Sequence, residues 1–187
     1  MNIIVINGAD RSDRIEKMKE QFLIAMGVDN HVSEYYLPEA FPAFCIDCRV
    51  CECSGISACP HAKYTVPLWD AILSADIMVF TLPASTSAIP KQMKELLDHY
   101  YARFMAQSAD AKMFNKQAVV IAGEMNLQIS SILDSIKASL DEWGIQQIHS
   151  VEQPKLHFDW HYFTDQNTFK QQCEKIAVKI KLTNIEI

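Results

Sequence analysis

The chain has 187 residues, 49% of them apolar and 21% charged, with a formal net charge of -6. This is the composition of an ordinary globular domain of one core. Lysines and arginines are dispersed, which argues against nucleic acid and against a basic membrane-binding face, and no apolar run reaches the ~20 residues that span a bilayer.

The N-terminal run Ile3 to Ile6 is β-branched throughout and ends at Asn7-Gly8. It predicts a strand buried on both faces, as in a parallel sheet. No basic region precedes it and it is too short for a signal peptide, so the expected location is cytoplasmic. After a polar loop, Ala9 to Ser12, the residues Ile15, Met18, Phe22 and Met26 recur at helical spacing and stop at Gly27. His31 to Leu37 reads as a more polar, edge-like strand. A short helix is expected over Pro67 to Ser74, with Leu68, Ile72 and Leu73 inward, then a buried strand over Asp76 to Leu82 ended by Pro83. Ile89, Met93, Leu96, Leu97, Tyr100 and Phe104 mark a helix with Pro90 in its first turn. Gln117 to Gly123 is a fourth strand. Ile129 to Trp143 is a helix stopped by Gly144. Ile145 to Val151 is a fifth strand, and Phe169, Cys173, Ile176 and Ile180 mark the closing helix, with Cys173 a buried hydrophobe.

Strands alternating with helices imply right-handed parallel crossovers. The expected fold is α/β: one flavodoxin-like three-layer sandwich over residues 1–187, with a five-stranded parallel sheet in the order 2-1-3-4-5 and helices on both faces. Ligands of such sheets lie beyond the carboxyl ends of the strands, at the switch point. Three loops qualify: Gly8 to Arg14, Pro83 to Ala88, and Gly123 to Leu127.

A cysteine-rich insertion, residues 42–63, follows the second strand. Five of the six cysteines, Cys45, Cys48, Cys51, Cys53 and Cys59, fall within 16 residues. So many thiols in one loop cannot all point into a core. The two-residue gaps of Cys45-x2-Cys48-x2-Cys51, with a fourth ligand from Cys59 or Cys53, suit a 4Fe–4S cluster, and Cys59 is preferred because Cys53 stands only two residues from Cys51. Zinc more often takes two separated Cys-x2-Cys pairs, and the chain has no second pair. Free thiols or a redox disulfide are the remaining alternative. Farther on, His157, Asp159 and His161 alternate with the aromatics Phe158, Trp160 and Tyr162. In an extended stretch they would share one face. They read as a packing strand or loop, a pocket border or interface, or least of all a metal site.

The order of elements over residues 1–145, the cysteine loop, Ala75-Asp76-Ile77-Met78-Val79-Phe80-Thr81-Leu82-Pro83 and Lys91-Gln92-Met93-Lys94-Glu95-Leu96-Leu97-Asp98 together resemble the NAD(P)H-dependent FMN reductases, and especially their iron–sulfur flavoprotein branch. The resemblance implies an oxidoreductase that binds FMN, uses NAD(P)H as co-substrate and passes electrons to a small acceptor. It implies Gly8, Arg11 and Ser12 at the phosphate. Pro83, Ala84, Ser85, Thr86 and Ser87 would lie along the ring edge and ribityl chain, and Gly123 at the far end of the ring. It implies Cys45, Cys48, Cys51 and Cys59 as cluster ligands, a ferredoxin-type electron donor, and a homodimer or homotetramer. No side-chain acid or base is expected. The turn Gly8-Ala9-Asp10-Arg11-Ser12-Asp13-Arg14 departs from the family's Gly-Ser-Pro-Arg. This motivates an alternative, a non-catalytic or degenerate flavodoxin-like module whose cysteine loop holds zinc or exchanges thiols.

Overall fold

The structure is a computed structural model that describes residues 1–8, 13–42, 45–83, 88–98, 113–124, 127–153 and 162–183. The strands β1 (Asn2–Asn7), β2 (His31–Tyr36), β3 (Ile77–Leu82), β4 (Gln117–Glu124) and β5 (Gln147–Gln153) form one sheet in the order β2-β1-β3-β4-β5. All four pairings are parallel. This is the flavodoxin-like sheet that the alternation of elements predicts.

The helices are α1 (Asp13–Met26), α2 (Leu37–Ala40), α3 (Val50–Ser54), α4 (Ala62–Ser74), α5 (residues 91–98), α6 (Leu127–Glu142) and α7 (Tyr162–Thr183), with a 3-10 turn at Ile56–Ala58. The pleat of the central strands divides them between two layers. Ile3 and Val5 of β1, Ile77 and Val79 of β3, and Val119 and Ile121 of β4 pack with Ile15, Met18 and Phe22 of α1 and Phe169, Cys173 and Ile180 of α7. Their neighbours Ile4, Ile6, Met78, Phe80, Ala118 and Val120 pack on the opposite face with Leu68 and Ile72 of α4, Met93, Leu96 and Leu97 of α5, and Ile129 to Leu140 of α6. Continuous apolar strands are therefore read on both sides. β2 is half exposed, as an edge strand should be.

Several boundaries differ from expectation. α4 begins at Ala62, five residues before Pro67, which stands inside the helix. Pro67 lies in the second turn, where its missing N–H removes only one early helical bond. Pro90 stands just ahead of α5, its carbonyl accepting from Lys94 N at 2.9 Å. Glu124 extends β4, and β5 runs from Gln147 to Gln153, two residues later than expected. Gly144, with φ +90°, ends the turn after α6 by donating to Asp141 O at 2.8 Å. The expected residues Tyr100 and Phe104 of the α5 stripe, and His157, Asp159 and His161, lie outside the described residues. Tyr162 opens α7.

Candidate functional site

β1 and β3 are neighbours in space, but β2 lies on the far side of β1, so the chain reverses its direction of winding between them. The carboxyl end of that pair is the switch point of the fold. Asn7 pairs with Thr81, and Leu82 of β3 pairs with Ala122 of β4. The next residues, Gly8, Pro83 and Gly123, thus stand side by side along one rim, as the sequence reading expects. Gly8 N donates to Thr81 O at 3.0 Å. A Cβ on Gly8 would sit 3.0 Å from Thr81 O, 3.1 Å from Met93 Cε and 3.2 Å from Pro90 Cγ. A side chain at this position would crowd β3 and the start of α5, and Thr81 O is the neighbour least able to give way. Arg11, Ser12, Ala84, Ser85, Thr86 and Ser87 lie outside the described residues.

Beneath this rim is a polar cluster that sequence reasoning missed. Asn7 is buried; its Oδ1 accepts from Thr81 Oγ1 at 2.8 Å, and its Nδ2 donates to Glu34 Oε1 at 3.0 Å. Glu34 Oε1 also accepts from Lys19 Nζ, and Lys19 Nζ donates to Glu16 Oε2 at 2.5 Å. Burial lowers the Lys19 pKa, but hydrogen bonds to Glu16, Glu34 and Tyr36 outweigh it and hold the ammonium above the usual lysine range. Burial raises the Glu34 pKa, and hydrogen bonds from Lys19 and Asn7 outweigh that, leaving a carboxylate held below its ordinary value. The only sequence trace of this cluster is a lysine on the inner side of an amphipathic helix, three residues from Phe22.

The cysteine loop is not a core element. Cys45, Cys48 and Cys53 are exposed, Cys51 and Cys59 half-buried, and all five are free thiols. Cys51 and Cys53 lie on the short helix α3, which the sequence reading did not anticipate. Asp47 (φ 50°) and Arg49 (φ 55°) both adopt left-handed backbone on either side of Cys48. This is an uncommon state for residues other than glycine, each instance sustained only by its surroundings. Their Arg49–Asp47 ion pair, 3.7 Å and fully in solvent, adds little. The loop is tied to the rim by Cys45 N, which donates to Glu95 Oε1 of α5 at 2.6 Å. Burial pushes the Cys45 thiol pKa up, and the charges of Glu95, Cys51 and Cys59 push it further, against a backbone hydrogen bond from Asp47. Cys59 Sγ accepts from His61 N at 3.4 Å, while His61 Nε2 is buried with no hydrogen-bond partner.

The donor set Cys45, Cys48, Cys51 and Cys59 has the chemistry of a metal or cluster site. Its geometry does not: among the described residues no group of three or more His, Cys, Asp or Glu is disposed to hold a metal ion. The fit to FMN is better. Gly8, Pro83 and Gly123 occupy three adjacent strand ends, and α1, which follows β1, begins at Asp13.

Among the described residues no helix is long and apolar enough to cross a membrane. Solved structures share the fold. Azoreductase AzrA superposes with a TM-score of 0.68 at 13% identity, over 96% of this chain and 100% of that one. The FMN-dependent NADH-azoreductase of Bacillus anthracis str. Ames Ancestor, in complex with FMN, gives 0.67 at 16% identity over 96% and 99%. The NAD(P)H:quinone oxidoreductase of Methanothermobacter marburgensis gives 0.66 at 14% identity over 94% and 93%. A search of curated protein sequences found no match. The sequence model of the NADPH-dependent FMN reductases matches residues 1–154, and with the sheet order and the rim it establishes that the chain belongs to that family of flavin-dependent oxidoreductases.

Proposed function

We propose that the protein is an FMN-dependent reductase that moves electrons from NAD(P)H to a small electrophilic acceptor, with its flavin at the carboxyl ends of β1, β3 and β4. The observation that carries this is the alignment of Gly8, Pro83 and Gly123 at the switch point of a chain in the FMN reductase family. The flavin supplies the redox chemistry; the chain supplies position, electrostatics and exclusion of water. In this reading Gly8, Arg11 and Ser12 hold the phosphate, through backbone N–H groups at the start of α1 and the Arg11 guanidinium. Pro83 with Ala84, Ser85, Thr86 and Ser87 lies along the ring and ribityl chain, and Gly123 closes the other end. No side-chain acid or base is assigned. The active species is a homodimer or homotetramer.

The proposal extends to the cysteine loop. Cys45, Cys48, Cys51 and Cys59 would hold a 4Fe–4S cluster fed by a ferredoxin-type donor. The support is their spacing and the tether from Cys45 N to Glu95 at the flavin rim. Among the described residues the thiols do not converge on one point. The free, separate thiols favour a second reading, a loop of exchangeable thiols on a degenerate flavin scaffold, of which zinc bound by the loop is the other form.

Purification without oxygen, followed by absorbance, flavin extraction and iron and zinc analysis, separates these readings. Stoichiometric FMN is expected; protein with neither flavin nor measurable FMN affinity refutes the flavin reading. Cys48→Ser should remove iron and leave flavin in place. Iron content unchanged in that variant refutes the ligand assignment, and zinc without flavin establishes the second reading.

A further inference from the structure

Along the outer edge of the sheet, β5 and α7 enclose a groove of about 490 Å³. β5 pairs with β4 on one side, and the sheet ends there. One wall of the groove carries His149 and Ser150 of β5. The other is a face of α7 with Gln172, Lys175, Lys179 and Leu182. Those four positions recur at spacings of three and four, so they form a continuous row along the helix. Ile176 lines the groove where it meets the core, and Val178 and Leu182 line it although they are 56% and 60% exposed.

The electrostatics of the groove are one-sided. Lys175 and Lys179 stand one turn apart, where like charges repel. Among the described residues neither is paired with a carboxylate, whereas Lys170 of the same helix meets Glu174 at 3.9 Å. No Asp or Glu lines the groove. Burial, and then the charge of Lys179, hold the His149 imidazole below its ordinary pKa. The ring is therefore neutral at pH 7 and forms an uncharged wall, its Nε2 buried without a hydrogen-bond partner. Gln172 is engaged at one end, where its Oε1 accepts from Glu152 N at 3.4 Å. A chain of net charge -6 thus presents two unneutralised ammonium groups beside apolar surface. The volume lies in the range of small-molecule sites, about 300–1,000 Å³, which favours a small ligand over a protein partner.

We propose that the β5–α7 groove is a second ligand site, separate from the flavin rim, that takes an organic acid. The carboxylate or sulfonate head sits between Lys175 and Lys179, and the apolar body lies along Ile176, Val178 and Leu182. The aliphatic stems of the two lysines extend the apolar contact while their ammonium groups stay hydrated. The site does not depend on the flavin reading.

The probe is anilinonaphthalene sulfonate, an aromatic body with one anionic head. Its partner is phenylnaphthylamine, the same rings without the sulfonate. Each is titrated by fluorescence into the full-length protein, and FMN affinity is measured separately. Saturable binding of the sulfonate is expected, with the neutral probe weaker. Replacing both lysines, Lys175→Gln with Lys179→Gln, should weaken the sulfonate about tenfold, the fold-change of two partly exposed ion pairs. The neutral probe and FMN should be unaffected. Replacing both by arginine should retain sulfonate binding, and Leu182→Ser should weaken both probes. Far-UV circular dichroism confirms that each variant is folded. A wild type with no saturable sulfonate binding overturns the proposal, and equal affinity for the two probes overturns the anionic head. Unchanged sulfonate affinity in the folded glutamine variant, or loss of FMN affinity in parallel with it, places the probe elsewhere and overturns the site. A chain that binds the sulfonate as expected but no flavin supports the groove and refutes the flavin reading alone.

Discussion

Gly8→Ala is the substitution whose outcome bears most directly on the rim. Gly8 is not among the positive-φ glycines, so an alanine there meets no backbone penalty. The obstacle is space. The new Cβ would lie 3.0 Å from Thr81 O, a backbone atom of a buried strand, and within 3.2 Å of Met93 and Pro90. Met93 Cε can swing aside; Thr81 O cannot move without disturbing the β1–β3 ladder and its bond from Gly8 N. Overpacking of this kind costs about 1–3 kcal/mol, and a weakened hydrogen bond adds about 1 kcal/mol. For a chain of this length the sum lowers the melting temperature by on the order of 5–10 °C. The assay is thermal unfolding by circular dichroism, followed by FMN titration well below the melt. Gly27→Ala is the control: Gly27 has φ +95° and no neighbour nearer than Lys181 Nζ at 3.8 Å, so it loses stability through backbone strain, away from the rim. A Gly8→Ala protein that melts with wild type refutes the close packing at the switch point. One that is destabilised as expected but binds FMN normally refutes the placement of the flavin at the end of β1.

Other predictions rest on single groups. Lys116 is buried, and its Nζ donates to Leu73 O at 2.9 Å and to Ala75 O, so a cation closes the carboxyl end of α4. Lys116→Met should cost about 2–3 kcal/mol in urea unfolding, because it removes both a charged hydrogen bond and a favourable dipole contact; a shift below about 0.5 kcal/mol counts against the interaction. Glu34 has a lowered folded pKa, so its stabilising effect is present above the unfolded value of 4.5 and is lost as pH falls through the folded one. The difference in melting temperature between wild type and Glu34→Gln should therefore hold steady near neutrality and shrink as pH drops below that value. A gap that stays constant into strong acid contradicts the assigned ionisation. Lys19 works in the opposite sense: its raised pKa means that its contribution is complete below the ordinary lysine range and fails only in strong alkali. Burial pushes the Cys173 thiol up to about 12 and hides it in the core. Metal-free native protein should accordingly label at five thiols with a maleimide, the sixth reacting only on unfolding; six fast-labelling thiols would refute the packing of α7.

The fold was readable because its strands are buried on both faces. Ile3 to Ile6, Ile77 to Leu82 and Ala118 to Ala122 are unbroken apolar runs that have no other stable home than the middle of a parallel sheet. The helix stripes followed from period, and Cys173 on the α7 stripe is indeed fully buried. Boundaries moved where a local signal misled: Pro67 reads as a helix start, yet Leu68 and Ile72 secure the helix through packing, and the first turn begins earlier, at Ala62. The shared place of Gly8, Pro83 and Gly123 at the strand ends was legible because the strand order follows from the alternation of elements. The Asn7–Glu34–Lys19 cluster was not. Its members are 27 and 15 residues from Glu34 along the chain, and sequence carries no register that would bring them together. The parallel pairing of Asn7 with Tyr36 and the burial of one face of α1 bring it about.

The cysteine loop is tethered to α5, the helix that packs against the rim at Gly8, and this bears on how the two halves of the proposed function relate. Glu95 receives Cys45 N on α5, two residues from Met93, which packs against Gly8. The same helix therefore packs against Gly8 at the end of β1 and anchors the backbone of the first cysteine. The loop's left-handed residues, Asp47 and Arg49, flank Cys48, the next cysteine in line, so the chain turns sharply between the anchor and α3. The charges of Cys51 and Cys59 reach the Cys45 thiol, and that of Cys48 is not among those acting on it. The buried side of α5, Met93, Leu96 and Leu97, packs into the same core as Trp143, whose Nε1 donates to Leu97 O at 3.2 Å. The backbone of the first cysteine is thereby tied to a helix held by the core of the domain, while the other four cysteines lie on the loop, α3 and the segment before α4.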